Sequence, residues 1–447
     1  MSVTYSVIKD ATEPDAMARI LADVIGPVLP SVQVKRVKLR NTRLEAPRLV
    51  WHTYEARLEL PGGIEARPQF WTKAYFDRAA CLDYAERIEH LLSANEQGNP
   101  LDPAGYARFF PDLNLFLFFF PMDPVFPALG RVFLTNEMKP ILEEHYRHLH
   151  PDVVVDRIEA VQVKYLPEIS CIVRYEGYED SRNVECIYGK VQHSRRGAFT
   201  YDVMRALWDL PARADGELVL AEPLGYYPQY DLLLQSELPG NDVTSDRHDP
   251  VFLDLCEAAG RAIGHIHNAG IKVGHEHSVQ TEIGRIHDRL QQFKVSSPNL
   301  YLMVRDLVRQ IEARAQRVPP EAPVPSHGDY KYNQFLYDGN RFGMIDVEFF
   351  VQAEPAFDLG KYCAHLVPSS PKHWSDAVQS DLARRAFLDA YVDVRPGFRS
   401  DRFAIYEALA LATRTIVVLW AQRPNWEYTA ETMIAMAYER LKTRWGE

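Results

Sequence analysis

The chain is poor in cysteine. It has five cysteines among 447 residues, at positions 81, 171, 186, 256 and 363, and no two of them form a CxxC pair. An odd number of cysteines without this spacing argues against a disulfide framework and against a zinc site. We therefore expect buried, reduced cysteines and a cytoplasmic protein.

The chain also lacks a long hydrophobic run and an excess of positive charge. Its strongest apolar stretch, Leu113 to Phe120, is too short to cross a bilayer, and the first residues have neither a basic start nor an apolar core. The formal net charge of -11 disfavours nucleic acid as a partner, because a phosphate backbone demands a basic face. The sequence predicts no membrane or nucleic-acid partner and leaves the oligomeric state open.

The length and hydrophobic content are those of a folded protein with several domains. A chain of 447 residues that is 47% hydrophobic can bury a large core and form two or three domains. We place the domains at 1–150, 151–240 and 241–447. Two proline-containing segments, Pro239 to Pro250 and Val318 to Pro325, are the expected linkers.

Most of the candidate catalytic and metal-binding residues lie in the segment from Ser326 to Phe350. Its sequence is SHGDYKYNQFLYDGNRFGMIDVEFF. Asp338-Gly339-Asn340 separates two short apolar runs, which predicts a hairpin with Asp329 and Asp346 at its two ends. One aspartate can orient a hydroxyl, and a carboxylate together with an amide oxygen from Gln334 suits a magnesium ion that also binds phosphates. The spacing indicates phosphoryl transfer from ATP.

This block resembles the catalytic core of the aminoglycoside phosphotransferase and choline kinase superfamily, whose members share the bilobal fold of protein kinases. The resemblance lies in His327-Gly328-Asp329, then Gln334, then Ile345-Asp346, and then Asp358-Leu359-Gly360. It implies that Asp329 is the catalytic residue and that Gln334 and Asp346 bind magnesium. His327 and Asp358 would be structural, with Asp358 accepting hydrogen bonds from backbone amides of the catalytic loop.

One position departs from the family pattern. The usual asparagine is replaced by Gln334, and maltokinase-like members of the superfamily have glutamine at this place. Glu348 would assist the metal or contact the substrate, since maltokinase-like chains also have an Asp-x-Glu sequence here. Glutamine is one methylene longer than asparagine, which changes the distance from the backbone to the metal.

The sequence before this block predicts the smaller kinase lobe. Val161 to Tyr175 and Val184 to Val191 are rich in β-branched residues and indicate a hairpin followed by a third strand, which Lys190 closes. A lysine in a strand is commonly a solvated edge residue, but the resemblance implies that Lys190 binds the phosphates of ATP. Its acidic partner would be Asp202 on the next helix. No GxGxxG sequence is present, so phosphate contacts would come from backbone amides near Ser170.

A short buried strand, Asp231 to Gln235, precedes the expected hinge between the lobes. By resemblance, backbone groups of Ser236 and Leu238 would contact the adenine. The alternative interpretation is that this segment is an ordinary turn between a strand and a helix, with no contact to a nucleotide. Apolar residues from Leu253 to Ile266 recur at helical spacing and predict a helix of the larger lobe, with His267 as a core residue at its end.

Three pairs of similar short sequences suggest that the smaller lobe is duplicated. Residues 31–35 (SVQVK) nearly repeat 160–164 (AVQVK), the sequence around Lys73 resembles that around Lys190, and DLNLFLFFF resembles DLLLQSELP. We predict an N-terminal cap over residues 1–150 that looks like a second small lobe, without an HGD block of its own. Lys73 would then be structural.

The acceptor must be recognised by the C-terminal helices, predicted over Asp376 to Val392, Phe403 to Gln422 and a last segment to Trp445. Possible acceptor-lining residues are Tyr406, Glu407, Trp420, Gln422 and Trp426, although ordinary packing explains them equally well. The Tyr-Glu helix followed by Arg-Pro-x-Trp is similar to the end of maltokinases, which favours a sugar or aminosugar.

The resulting hypothesis is an α+β protein with the protein-kinase-like bilobal fold. It would use ATP and Mg2+ to phosphorylate a hydroxyl of a sugar or aminosugar. Two alternatives remain open: a kinase that inactivates an aminoglycoside-like antibiotic, and a regulatory pseudokinase that holds nucleotide without turnover.

Overall fold

The computed structural model describes residues 13–45, 48–94, 105–243, 246, 248–368, 377–421 and 425–442. The chain divides into two compact units, Met1–Gly197 with Tyr226–Leu234, and Ala198–Gly225 with Gln235–Glu447. The domain boundaries at 1–150, 151–240 and 241–447 stay a prediction. Helices and antiparallel strands are both abundant, which confirms the predicted α+β class.

The first unit begins with helix α1 (Pro14–Ile25) and a long antiparallel hairpin. Strands β1 (Gln33–Glu45), β2 (Leu49–Leu60), β3 (Ile64–Ala66) and β4 (Gln69–Tyr75) are followed by helices α2 (Arg78–Arg87) and α3 (Glu89–Ala94). Strands β5 (Tyr106–Phe110) and β6 (Leu115–Phe119) complete a sheet with the order β1-β2-β4-β6-β5, in which β3 pairs with β2.

Alternating side chains of this sheet bury both of its faces. One face packs Tyr54, Phe70 and Leu117 against apolar residues of α1, whereas the other packs Trp71, Phe116 and Phe118 against Cys81 and Tyr84 of α2. The side chains of a strand alternate between the two faces, so strands as apolar as β6 are stable only when both faces are covered.

A second antiparallel sheet follows helix α4 (Thr135–Leu149). Its elements are β7 (Arg157–Leu166), β8 (Ser170–Glu179), β9 (Arg182–Asn183), β10 (Ile187–Gln192), α5 (Ser194–Trp208), α6 (Pro211–Ala214), β11 (Pro223–Tyr227) and β12 (Leu232–Ser236). The strand order is β7-β8-β10-β12-β11, and β9 pairs with β8.

The two sheets have the same topology. The strands occur in the same order, and the fifth and sixth strands of each copy are joined by a single turn of 3-10 helix that ends in a left-handed residue, Asn114 or Asp231. The register is also the same, since Glu45 pairs with Leu49 in the first copy and Leu166 pairs with Ser170 in the second. This agreement supports the predicted duplication.

The second unit is mainly helical. After the short strand β13 (Asn241–Asp242), it contains helices α7 (Pro250–Asn268), α8 (Val279–Ser296) and α9 (Pro298–Arg317). Helix α7 begins where the Asp249 carboxylate accepts the N–H of Val251 at 3.0 Å, with proline in the first turn. The predicted helix from Leu253 to Ile266 lies within α7, and His267 is buried at its end, as expected.

Four short strands and four helices follow among the described residues of this unit. The strands are β14 (Val324–Ser326), β15 (Phe335–Tyr337), β16 (Phe342–Met344) and β17 (Val351–Ala353), and the helices are α10 (Ala356–Leu366), α11 (Ala377–Val394), α12 (Ser400–Ala421) and α13 (Trp426–Lys442). Helix α7 packs along α11. This contact requires Gly260, because a Cβ there would lie 2.2 Å from the Phe387 carbonyl oxygen.

One compositional expectation is met in the structure. All five cysteines are free and buried. Across the parts of the chain that the structure describes, no helix is both long and apolar enough to pass through a membrane.

Candidate active site

The loop that carries the predicted catalytic residue Asp329 follows strand β14, and its backbone is fixed by close packing. Gly328 has φ +84, and a Cβ at this residue would lie 1.9 Å from the carbonyl oxygen of Phe349. Only glycine allows both this conformation and this approach. The loop is therefore pressed against the segment that follows Asp346.

The ring of His327 joins the same two segments by hydrogen bonds. Its Nδ1 accepts the N–H of Asp329 at 3.3 Å, and its Nε2 donates to the carbonyl oxygen of Ile345 at 3.1 Å. The side chain of His327 is fully buried. It thus has the contacts of a residue that shapes the loop, and its structural role stays a prediction.

Asp358 holds the loop from the first turn of α10. Its carboxylate accepts the N–H of His327 at 2.7 Å and that of Gly328 at 2.9 Å, and it lies 3.4 Å from Nε2 of His267. Burial alone would raise the pKa of Asp358, but the hydrogen bonds from His267 and Gly328 and the nearby imidazoles hold it below its ordinary value. These are the backbone contacts that the predicted bracing role requires.

Asp329 makes direct contact with two polar side chains of its own loop. Its Oδ2 accepts a hydrogen bond from Lys331 Nζ at 2.7 Å and another from Gln334 Nε2 at 3.1 Å. About a quarter of the Asp329 side chain remains exposed, whereas Gln334 is buried. The carboxylate can therefore reach a substrate hydroxyl while its orientation is set by two donors.

Lys331 was not identified as a site residue from the sequence. The signal for it was available, because Lys331 lies two residues after Asp329 in an extended stretch, where side chains return to the same side. A second ammonium group lies on the same loop, since Lys361 Nζ donates to the carbonyl oxygen of Gly328. Two lysines thus contact the loop that carries the proposed catalytic carboxylate, and one of them, Lys331, contacts the carboxylate itself.

The hairpin of β15 and β16 brings the other predicted residues to this loop. Phe335 pairs with Met344, and the N–H of Ile345 donates to the carbonyl oxygen of Gln334 at 2.9 Å, so Gln334 lies opposite Ile345, the residue before Asp346. Asp346 is exposed and has φ 62, a left-handed conformation that is uncommon for aspartate. Glu348 is half-buried in the next turn.

The oxygen donors of this hairpin fit a magnesium ion. The Gln334 amide donates its nitrogen to Asp329, which leaves its carbonyl oxygen to act as a ligand. A carboxylate and an amide oxygen are hard ligands of the kind that Mg2+ takes together with waters and phosphates. Across the described residues, no group of three or more His, Cys, Asp or Glu side chains could hold a metal by itself.

The predicted phosphate-binding residues lie in the second sheet. Lys190 is half-buried in β10, where it pairs with Ile172, and Ser170 begins β8 opposite Leu166. Asp202 is exposed on α5. The pairing of Lys190 with Asp202 and the phosphate contacts of Lys190 and Ser170 stay predictions.

The predicted hinge has one of its backbone donors already occupied. The N–H of Ser236 donates to the carbonyl oxygen of Glu222 at 3.0 Å, and its hydroxyl accepts the N–H of Glu222 at 2.9 Å. Leu238 is buried. An adenine contact, which stays a prediction, would therefore use other backbone groups of the 236–238 segment.

The suggestion that Tyr406 and Glu407 line an acceptor pocket is wrong. Both are 2% exposed, with Tyr406 donating its hydroxyl to Glu354 at 2.9 Å and Glu407 accepting two bonds from Arg384 at 2.7 Å. They are packing and ion-pair residues of the core. Trp426 is half-buried at the start of α13, while Gln422 and the side chain of Trp420 lie outside the described residues.

Comparison with known proteins agrees with this geometry. Residues 211–402 match the model of the APH family, described as the phosphotransferase enzyme family. This match confirms the resemblance predicted from the sequence, and with it the class of phosphotransferases that act on a hydroxyl group. The matched range contains the whole loop, the hairpin and Asp358. A search of curated proteins finds no match.

Solved structures with a similar chain path include two bacterial proteins. A putative aminoglycoside phosphotransferase from Ralstonia eutropha JMP134 is 14% identical, with 68% of this chain and 98% of that chain covered and a TM-score of 0.47. A choline/ethanolamine kinase family protein from Mesorhizobium loti is 15% identical, with 68% and 95% covered and a TM-score of 0.44.

Proposed function

We propose that this protein is an ATP-dependent kinase that transfers the γ-phosphate to a hydroxyl of a small molecule, with a sugar or aminosugar as the acceptor class. The observation that carries the proposal is the contact of Asp329 with Lys331 and Gln334 on one braced loop, where Gln334 lies opposite Ile345, the residue before Asp346. Phosphoryl transfer needs groups that position the reactants and neutralise charge, and this loop has both kinds.

In the proposed reaction Asp329 accepts a hydrogen bond from the acceptor hydroxyl and orients its oxygen toward the γ-phosphate. The hydroxyl oxygen forms a bond to the γ-phosphorus as the bond from that phosphorus to the β-phosphate oxygen breaks, and the hydroxyl proton passes to Asp329. ADP leaves with the bridging oxygen, and no covalent enzyme intermediate forms. Gln334 and Asp346 would hold Mg2+, which neutralises charge on the phosphates. Lys190 would bind the phosphates, and Ser170 and the 236–238 segment would contact the nucleotide through their backbones.

The two lysines that contact the loop favour a neutral sugar over a polycationic antibiotic. Lys331 Nζ lies 2.7 Å from Asp329, and Lys361 is bonded to Gly328 of the same loop. Unit charges of the same sign repel at short range, so an aminoglycoside with several ammonium groups would be disfavoured beside these lysines. An aminosugar with one ammonium group is less affected.

The test is a turnover screen of purified protein with magnesium-ATP. The panel contains neutral sugars, aminosugars, amino alcohols and aminoglycosides, and the readout is acceptor-dependent ADP release. We expect turnover with a sugar or aminosugar and none with Asp329→Asn. Turnover confined to aminoglycosides, with resistance in a sensitive host, would establish the antibiotic kinase instead. Tight nucleotide binding without turnover of any acceptor would favour the regulatory pseudokinase.

A further inference from the structure

Lys73 in the first sheet occupies the same register as Lys190 in the second. Each lies in the fourth strand of its sheet in chain order, opposite Trp51 and Ile172 respectively. Two residues later, the N–H of Tyr75 donates to the carbonyl oxygen of Asn114 at 3.0 Å, and the N–H of Gln192 donates to that of Asp231 at 3.2 Å. Lys73 is thus the copy of the proposed phosphate-binding lysine.

The ammonium group of Lys73 already has an anion. Its Nζ lies 2.9 and 2.7 Å from the two carboxylate oxygens of Glu168, and it lies 3.9 Å from the centre of the Tyr84 ring. Glu168 also accepts the hydroxyl of Tyr84 at 2.6 Å and the indole N–H of Trp51 at 3.1 Å. The Lys73 and Glu168 side chains are 7% and 10% exposed.

Glu168 does not belong to the first sheet. It lies in the turn between β7 and β8 of the second sheet, with φ 59, and its N–H donates to Asp123 Oδ2 at 2.9 Å. The same oxygen accepts the hydroxyl of Tyr165 at 2.7 Å. The turn is therefore held at both its backbone and its side chain by residues that come from the N-terminal cap.

This turn is the one that leads into Ser170, where the kinase proposal puts the backbone amides that meet the phosphates. We propose that the cap positions this nucleotide turn and that Glu168 is the positioning residue. Lys73 binds the Glu168 carboxylate, whereas the equivalent residue of the second sheet, Lys190, would bind a phosphate. This inference rests on the proposed function. It assigns to the duplicated lobe a role in nucleotide affinity.

The physical reason is preorganisation. The turn has no glycine-rich sequence, and Glu168 has a left-handed conformation that an unanchored glutamate seldom adopts. If the turn were free, ATP would have to order it on binding, and that entropic cost would weaken nucleotide binding. Acceptor binding at the Asp329 loop would not bear this cost.

The test measures nucleotide and acceptor parameters separately in full-length variants. Glu168→Gln should raise the KM for ATP and the Kd for ADP about tenfold, while the KM for the acceptor changes less than about twofold. Lys73→Met should have a similar effect, and the double variant should be no worse than the single ones, because all three remove the same interaction. Glu159→Gln is the matched control, since its carboxylate pairs with Arg157 at the surface of the same hairpin.

A second readout does not depend on turnover. Hydrogen exchange of the Glu168 and Ile169 amides in the nucleotide-free protein should be at least about tenfold faster in Glu168→Gln than in the wild type. If that variant fails to fold, Tyr84→Phe removes one hydrogen bond to Glu168, leaves the ion pair, and should still raise the KM for ATP about threefold.

The outcomes separate this inference from the proposed function. Normal ATP parameters in the variants, or equal changes in the ATP and acceptor KM values, would overturn the positioning role while the kinase stands. A wild-type protein that binds no nucleotide would overturn both. A selective loss of nucleotide affinity together with faster exchange of the turn supports the proposal.

Discussion

Replacing Asp358 by asparagine tests how the catalytic loop is held. The carboxylate accepts two backbone N–H groups, at 2.7 and 2.9 Å, and is fully buried. Asparagine keeps the size but has one acceptor oxygen, so an NH2 group must face one of the two backbone donors. A hydrogen bond to a charged group contributes about 1.5–3 kcal/mol, and a buried donor left without a partner adds to the loss.

We therefore expect Asp358→Asn to lower the free energy of unfolding by about 2–4 kcal/mol. A unit of this size loses about 2–4 °C of Tm per kcal/mol, so the shift is readily measured by calorimetry or circular dichroism. The rate should fall as well, by about a hundredfold, because Asp329 follows directly after the two braced residues and a small displacement removes it from the reacting hydroxyl.

The matched control is Asp389→Asn on the exposed side of α11. This substitution also removes one carboxylate charge, but from a solvated site, and it should change neither Tm nor rate appreciably. If Asp358→Asn melted within a degree of the wild type and kept its kcat, the bracing argument would be refuted. Lost stability with an unchanged rate would show that the brace serves folding alone.

Three further predictions concern single side chains. Asp329→Asn should leave Tm and nucleotide Kd nearly unchanged while kcat falls at least about a hundredfold, as steady-state kinetics with calorimetry would show; equal activity would contradict the assignment. Lys331→Met should reduce kcat and raise the relative kcat/KM for cationic acceptors, whereas Lys331→Arg should retain the discrimination; an unchanged acceptor ratio would argue against electrostatic exclusion. Burial lowers the pKa of His52 from 6.5 to about 4, so stability is complete above pH 6.5 and about 3 kcal/mol is lost as the pH falls to 4. Urea unfolding of His52→Phe should lack this acid-dependent loss, and an unchanged pH dependence would show that other groups cause it.

Local patterns in the sequence predicted the elements that depend on local interactions. The hairpin around Asp338 was predicted because its turn residues supply their own bonds, with Asp338 accepting the N–H groups of Asn340 and Arg341 at 2.8 and 2.7 Å. The helix from Leu253 to Ile266 was predicted from its apolar spacing. Both signals lie within a few residues of the element they specify.

Contacts between distant segments could not be predicted from the sequence. Nothing in the local sequence of Glu168 shows that it meets Lys73, which is 95 residues away. Tyr406 and Glu407 were assigned to a possible pocket for the same reason, since a polar group on a helix does not reveal whether its partner is a substrate or a buried side chain, here Glu354 and Arg384. Burial decides this point, and burial depends on the whole fold.

The duplication accounts for the buried ion pair of the cap. Lys73 and Lys190 are 117 residues apart, as are Asn114 and Asp231, so the two copies stay in step from the lysine strand to the last strand. The first copy has no HGD sequence of its own, and a buried lysine without an anion lowers the stability of the fold. Such a copy keeps its lysine only if another group supplies the negative charge. Glu168 supplies this charge from the turn between β7 and β8 of the second sheet. Lys73 of the first sheet thereby anchors that turn.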